Sequence, residues 1–249
     1  MTSPSEVVLI TGSSSGIGAA TAYRFAKANY RIVITYRGDK SAGEYVLKTC
    51  LEKGAPEVLL AHLDVTNDES IGKLIEQITK KFTKVDVLIN NAGRLVAKPI
   101  SEIKPEEIDA VIRTNLTGLI KLTRACLPFL NRSLINIGST AGLQGFKDHT
   151  IYAATKFGVR GFSQSIAAER PDLLVYAVNP GLTATKMTDW RGIKPERVSE
   201  IIFRAATGEY RSPSGSDINV NDYLHGNRSA RLILLARKIR RAIREFLTT

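Results

Sequence analysis

Cysteine, histidine and tryptophan are scarce in this chain of 249 residues, and each scarcity removes a class of function. The two cysteines, Cys50 and Cys126, form neither a metal spacing nor a disulfide framework. The histidines His62, His149 and His225 are too scattered to make a ligand set, so no metal ligand is assigned. No stretch approaches the ~20 uninterrupted apolar residues of a membrane-spanning helix. The opening residues, Met1 to Glu6, are polar and run straight into an apolar segment, which is not the pattern of a secretory signal. A reducing, cytoplasmic setting fits these features. A G-x-S-x-G elbow is missing too, and with it the usual serine-hydrolase arrangement.

Acidic residues are also in deficit: 35 lysines and arginines face 24 aspartates and glutamates, a formal charge of +11. Such an excess attracts phosphorylated ligands, acidic proteins, anionic lipid or nucleic acid. Nucleic acid is disfavoured, because zinc spacings, a helix-turn-helix signature and repeated basic-aromatic interleaving are all wanting. Much of the charge lies at the end, where Arg228, Arg231, Arg237, Lys238, Arg240, Arg241 and Arg244 are opposed by Glu245. At about 100° per residue, Leu232, Leu235, Ala236, Ile239, Ala242, Ile243 and Phe246 share one helical face between Arg231 and Leu247. Docking onto the body or a second subunit is the favoured reading of this basic amphipathic segment, ahead of contact with an anionic membrane surface.

The remainder alternates short β-branched runs with longer amphipathic ones, the pattern of a parallel sheet covered by helices. Strands are expected at Val7–Thr11, Arg31–Thr35, Glu57–His62, Val85–Asn90, Leu134–Gly138, Leu173–Asn179 and Ile218–Val220. Helices are expected at Gly16–Ala28, Ala42–Lys53, Glu69–Phe82, Glu106–Leu127 and Ile151–Arg170, with another beginning near Pro195. Internal repeats and interdomain linkers are not evident. The expected architecture is one α/β domain, a doubly wound Rossmann-type parallel sheet over residues 1–223 that holds cofactor and substrate, with 224–249 as a helical extension.

Chemistry concentrates in a few places. Gly12, Ser14, Ser15, Gly16, Ile17 and Gly18 follow the first strand and open the first helix. Glycines let a backbone turn sharply against a pyrophosphate, and a helix N-terminus offers unpaired N–H groups to the anion. At the end of the second strand stand Tyr36 and Arg37, where a carboxylate would bind the ribose 2′-hydroxyl of NAD and a cation admits the 2′-phosphate of NADP. Tyr152 and Lys156 are four apart on one helix and share a face. An ammonium there would lower a phenol pKa from near ~10 and suit Tyr152 to acid–base work. Ser139 lies thirteen positions before Tyr152, at the carboxyl end of a strand.

The glycine spacing T-G-x-x-x-G-x-G resembles that of the short-chain dehydrogenase/reductase superfamily, and the resemblance recurs in order over roughly residues 6–220. It runs through Asp64-Val65, Asn90-Asn91-Ala92-Gly93, Asn115, Ser139, Tyr152-x-x-x-Lys156, Pro180-Gly181 and Thr185. The resemblance implies that Asp64 and Val65 meet the adenine, that Asn91, Ala92 and Gly93 flank the adenosine, and that Pro180, Gly181, Thr183 and Thr185 hold the nicotinamide end. It further implies a catalytic tetrad of Asn115, Ser139, Tyr152 and Lys156, with Asn115 binding a water that connects Lys156 to solvent. The expected protein is therefore an NADP(H)-dependent oxidoreductase, probing a small-molecule or carrier-bound carbonyl or alcohol and assembling as a homodimer or homotetramer. Met187 and Trp190 are expected to face the substrate pocket, with Leu143, Gln144 and Phe146 on its other wall. Two alternatives stand beside this: a non-enzymatic NADP(H)-sensing regulator, and a sugar-nucleotide epimerase or dehydratase, which would need a larger C-terminal substrate domain.

Overall fold

The computed structural model describes residues 6–210 and 212–224. Its frame is a parallel sheet of seven strands, β1 (Val7–Ile10), β2 (Arg31–Tyr36), β3 (Val58–His62), β4 (Val85–Asn90), β5 (Leu130–Ile137), β6 (Leu174–Asn179) and β7 (Asp217–Asn219), ordered β3-β2-β1-β4-β5-β6-β7. The unalternating runs Val7-Val8-Leu9-Ile10 and Val87-Leu88-Ile89 are fully buried, because helices cover both faces of the sheet. Two apolar clusters result. Val8, Ile10, Ile32 and Ile34 pack with Phe25 and Phe203 on one face; Leu9, Val33 and Leu88 pack with Leu74, Ile78 and Leu122 on the other.

The helices are α1 (Gly16–Ala26), α2 (Lys40–Glu52), α3 (Asp68–Phe82), α4 (Pro105–Ile112), α5 (Gly118–Cys126), α6 (Thr150–Glu169), α7 (Pro195–Ala206) and the short α8 (Val220–Leu224). Asp39 and Asn67 cap α2 and α3 by accepting from Ala42 N and Ser70 N at 2.9 and 2.8 Å. The Asp39 cap starts α2 two residues ahead of the expected Ala42. Strand β5 begins at Leu130, four residues before the expected Leu134, because Leu130 pairs with Val85 and Ser133 with Val87.

One expectation fails instructively. The segment anticipated as a continuous helix over Glu106–Leu127 is α4 and α5 joined by a π-helical turn, Arg113–Thr117. Asn115 sits in that turn, buried, with its side chain bonded sideways to Arg94 rather than outward to solvent. A π turn widens the backbone ring locally and re-aims one side chain, and such turns are frequent at functional sites. The helix expected at Arg231–Leu247 lies outside the described residues. Among the described residues no helix is long and apolar enough to cross a membrane.

Candidate active site

Strand order reverses between β1 and β4: β1 has β2 on one side and β4 on the other. The turns leaving these two strands diverge to opposite faces, and the crevice they leave at the carboxyl ends is where open α/β sheets place ligands. A cleft of about 530 Å3 opens there.

Its floor is the turn after β1. Gly12 and Gly16 hold φ of +61° and +55°, conformations that cost a residue with a Cβ. A Cβ on Gly12 would lie 3.1 Å from Ala92 Cα, and one on Gly18 only 2.5 Å from Gly12 O, so the turn is closely folded. Short polar side chains hold it. Ser13 Oγ donates to Ile10 O and accepts from Thr35 N, while Thr35 Oγ1 accepts from Gly12 N. Thr11 Oγ1 accepts from both Asn91 N and Ala92 N at 2.9 Å, and Asn91 Nδ2 donates to Thr11 O at 2.8 Å. Ser15 precedes α1 without capping it through its side chain, leaving the first N–H groups of α1 aimed at the cleft as an anion cradle. The residues present therefore fit a pyrophosphate-bearing dinucleotide.

Of the residues singled out in the sequence, Gly12, Ser14, Ser15, Gly16 and Ile17 line the cleft from this turn. Tyr36 and Arg37 line it from the end of β2, Val65 from beyond β3, and Asn91, Ala92 and Gly93 from beyond β4. Ser139, Tyr152 and Lys156 line the other half with Pro180, Gly181, Thr183 and Thr185. Gly18, Asp64 and Asn115 stand behind these walls. Gly18 is needed for the fold of the turn. Asp64 Oδ1 accepts from Thr66 N and Thr66 Oγ1 at 2.9 and 2.7 Å. Burial pushes the Asp64 carboxyl up, but these bonds and nearby Arg37 bring it below its ordinary value.

The wall opposite the glycine turn carries Ser139, Tyr152 and Lys156. Ser139 follows β5; its N–H donates to Asn179 Oδ1 at 3.2 Å and its Oγ accepts from Ala141 N at 3.1 Å. Tyr152 and Lys156 project from the first turns of α6, with Lys156 Nζ 5.5 Å from the Tyr152 ring centroid. Lys156 is only 4 % exposed and donates to Ile137 O at 2.7 Å. Burial pushes its ammonium down to about 8. In the protein alone the Tyr152 phenol lies above its ordinary value, while the expected lowering invokes Lys156 together with the positive charge of an oxidised nicotinamide. Burial pushes it up, while its hydrogen bond with Ser139 pulls it down by less.

Asn115 binds the other side of α6. Its Oδ1 accepts from Arg94 N at 2.7 Å, and its Nδ2 donates to Arg94 O at 2.8 Å and to Thr155 Oγ1 at 3.2 Å. Thr155 in turn donates to Tyr152 O at 2.7 Å. Asn115 thus joins the segment after β4 to the helix bearing Tyr152.

Met187 and Trp190 line the cleft from the loop between β6 and α7, as expected, and Trp190 is 71 % exposed. Leu143, Gln144 and Phe146 do not line it. The chain turns back after Ser139, with Gly142 N and Leu143 N donating to Ser139 O and Thr140 O, and Phe146 meets the ring of His149, which meets that of Tyr152.

Sequence reading missed the group that fixes this turn. Arg160, one turn beyond Lys156, donates from Nη1 to Gly142 O at 2.7 Å and makes a two-pronged ion pair with Asp217, at 2.9 and 2.7 Å. Asn179 Nδ2 donates to the same Asp217 carboxylate at 3.0 Å. The ends of β6 and β7, α6 and the Ser139 turn are therefore tied in one network. Arg160 and Asp217 are 57 positions apart, so no local pattern announces the pair.

Comparison with known proteins agrees with this geometry. A family model described as short chain dehydrogenase matches residues 6–194. A 3-oxoacyl-[acyl-carrier-protein] reductase from Synechocystis sp. is 33% identical over 217 residues, covering 85% of this chain and 87% of that protein. An NADP-dependent 3-hydroxy acid dehydrogenase from Schizosaccharomyces pombe is 31% identical over 226 residues, covering 81% and 87%. A crystal structure from Burkholderia xenovorans, assigned to the short-chain dehydrogenase/reductases, superposes with a TM-score of 0.78 at 32% identity, over 87% of this chain and 96% of that one. With the switch-point crevice, the glycine cradle and these matches in agreement, the chain belongs to the short-chain dehydrogenase/reductase family, oxidoreductases that bind a nicotinamide cofactor.

Proposed function

We propose that this protein is an NADP(H)-dependent reductase that interconverts a carbonyl and a secondary alcohol, with Tyr152 as the general acid and base. The observation that carries the reading is the convergence of Tyr152, Ser139 and Lys156 on one half of a cleft whose other half is the anion cradle. The end of β5 supplies Ser139 and helix α6 supplies Tyr152 and Lys156.

The nicotinamide cofactor supplies the hydride in reduction and accepts it in oxidation. The chain's own residues handle the oxygen. Ser139 Oγ holds the carbonyl oxygen, and Tyr152 gives it the phenol proton as the alcohol forms; oxidation reverses this. The Tyr152 phenol is protonated at neutral pH; burial raises it further and its hydrogen bond with Ser139 works against that rise, in the direction that favours donation. Lys156, buried and depressed to about 8, is balanced between charged and neutral forms and can resupply the proton. Asn115 acts by position, fixing α6 against the segment after β4.

Preference for NADP(H) rests on charge at the far end of the cleft. Arg37 lines it there, and a guanidinium can pair bidentately with a 2′-phosphate. Asp39, the nearby acid, is directed into the cap of α2. The NADP-dependent S. pombe relative is consistent with that preference.

The test is NADPH consumption against a panel of quinones, ketosteroids, sugars and 3-oxoacyl thioesters, with Tyr152→Phe beside the wild type. Loss of turnover by about 10²- to 10⁴-fold, with NADPH affinity retained, is expected for the variant. Near-normal turnover by Tyr152→Phe would sink the assigned role.

A further inference from the structure

The charge of the cleft is one-sided. Among the described residues, Arg37, Arg94, Lys156 and Lys186 line it, and no aspartate or glutamate does. Three of these cations are accounted for by position. Arg37 lies at the end of β2, and Lys156 lies behind Tyr152. Lys186 follows Thr185, whose methyl is 3.1 Å from where a Cβ on Gly16 would be, which places Lys186 over the anion cradle.

Arg94 is the remaining one. It has no ion pair among the described residues. Both of its backbone polar groups are bound by Asn115, which fixes where the side chain starts while leaving that side chain exposed. Asn115 also donates to Thr155, which donates to the Tyr152 carbonyl, so the backbone of Arg94 is tied through two side chains to the helix that bears Tyr152. Met187 and Trp190 line the same cleft with apolar surface. A guanidinium without an ion pair, lining the same cleft as Tyr152, Ser139 and the apolar Met187 and Trp190, suits a ligand with an apolar body and an anionic group.

We propose that Arg94 recognises an anionic group, carboxylate or phosphate, on the carbonyl or alcohol that this enzyme transforms. The word substrate rests on the oxidoreductase reading; the anion site itself does not. The anion has two sources, the carboxylate of a free hydroxy or oxo acid and the phosphates of a carrier thioester.

Two matched pairs separate them: 3-hydroxyhexanoate against its neutral amide, and the 3-hydroxyhexanoyl thioester of coenzyme A against that of N-acetylcysteamine. Trp190 is the chain's single tryptophan and lines the cleft, so its fluorescence reports binding of each ligand to the NADP⁺ complex without requiring turnover. Wild type is expected to bind the anionic member of one pair about tenfold or more tightly than the neutral one. Arg94→Gln abolishes that preference and Arg94→Lys keeps part of it, since a point charge replaces a fork. Preference in the acid pair assigns the carboxylate, and preference in the thioester pair assigns the phosphate. Folding of Arg94→Gln is checked by NADP⁺ titration, and Asn115 still finds its partners there because they are backbone groups. No preference in either pair, or one that survives Arg94→Gln, overturns the proposal. An Arg94-dependent preference without turnover of any ligand upholds the anion site, and the carbonyl panel with Tyr152→Phe then decides the reductase reading separately.

Discussion

The two halves of the cleft are held in different ways. Around the glycine turn, Ser13, Thr11 and Thr35 bind backbone groups at the ends of neighbouring strands, so hydroxyls and main chain make the shape. Around Ser139 the shape depends on long charged side chains, with Arg160 and Asp217 gripping the turn from α6 and β7. A backbone-built cradle recognises what all dinucleotides share. A wall built from side chains can change with each substitution, and with it the position of the reacting oxygen. Cofactor binding and turnover should therefore be separable by mutation, each half failing on its own.

The sharpest break comes at the adenosine end. Arg37→Glu places a carboxylate where the 2′-phosphate would lie, and kcat/KM with NADPH should fall about tenfold to a hundredfold while NADH is used relatively better. Steady-state kinetics with both cofactors measures this; an unchanged NADPH/NADH ratio would remove Arg37 from the phosphate site.

A smaller effect is expected on the other side. Arg160→Met should lower kcat severalfold, roughly the worth of a charge-assisted hydrogen bond or less, with NADPH affinity kept. If Arg160 works by placing Ser139, its effect shrinks in a Ser139→Ala background. Additive losses in that double-mutant cycle would make the Arg160–Asp217 pair merely structural. Charge reversal of both partners offers a check by rescue.

The smallest effect is one of stability. Lys156 is depressed from 10.5 to about 8 in the folded protein, so between those values the unfolded chain binds more protons. Its contribution to stability is therefore lowest below pH 8 and improves as pH rises toward 10.5. Urea unfolding of the cofactor-free protein at pH 7.5 and 9.5 should show this gain in wild type relative to Lys156→Met. The same pH response in both proteins would mean that Lys156 is not held in a desolvating site.

Legibility followed the same division. Thr11 to Gly18 could be read directly because the cradle is contiguous and its geometry demands glycine, and Tyr152 and Lys156 could be paired because one helix turn separates them. The π turn at Arg113–Thr117 was hidden, since what bends the helix is a bond from Asn115 to Arg94, 21 positions away. The placement of Leu143, Gln144 and Phe146 was equally hidden, because the turn that precedes them is held by Arg160 through the Gly142 carbonyl.

By itself, then, the sequence determined the alternation of strands and helices, the glycine cradle and the pairing of Tyr152 with Lys156 on one helix face, because each depends on spacing within a few residues. Tertiary structure alone decided which side chains meet across the sheet: Arg160 with Asp217, Asn115 with Arg94, and Lys156 with the Ile137 carbonyl. It also decided the direction of the Tyr152 pKa, since burial is a property of the packed protein and outweighs there what a lysine four positions away would suggest.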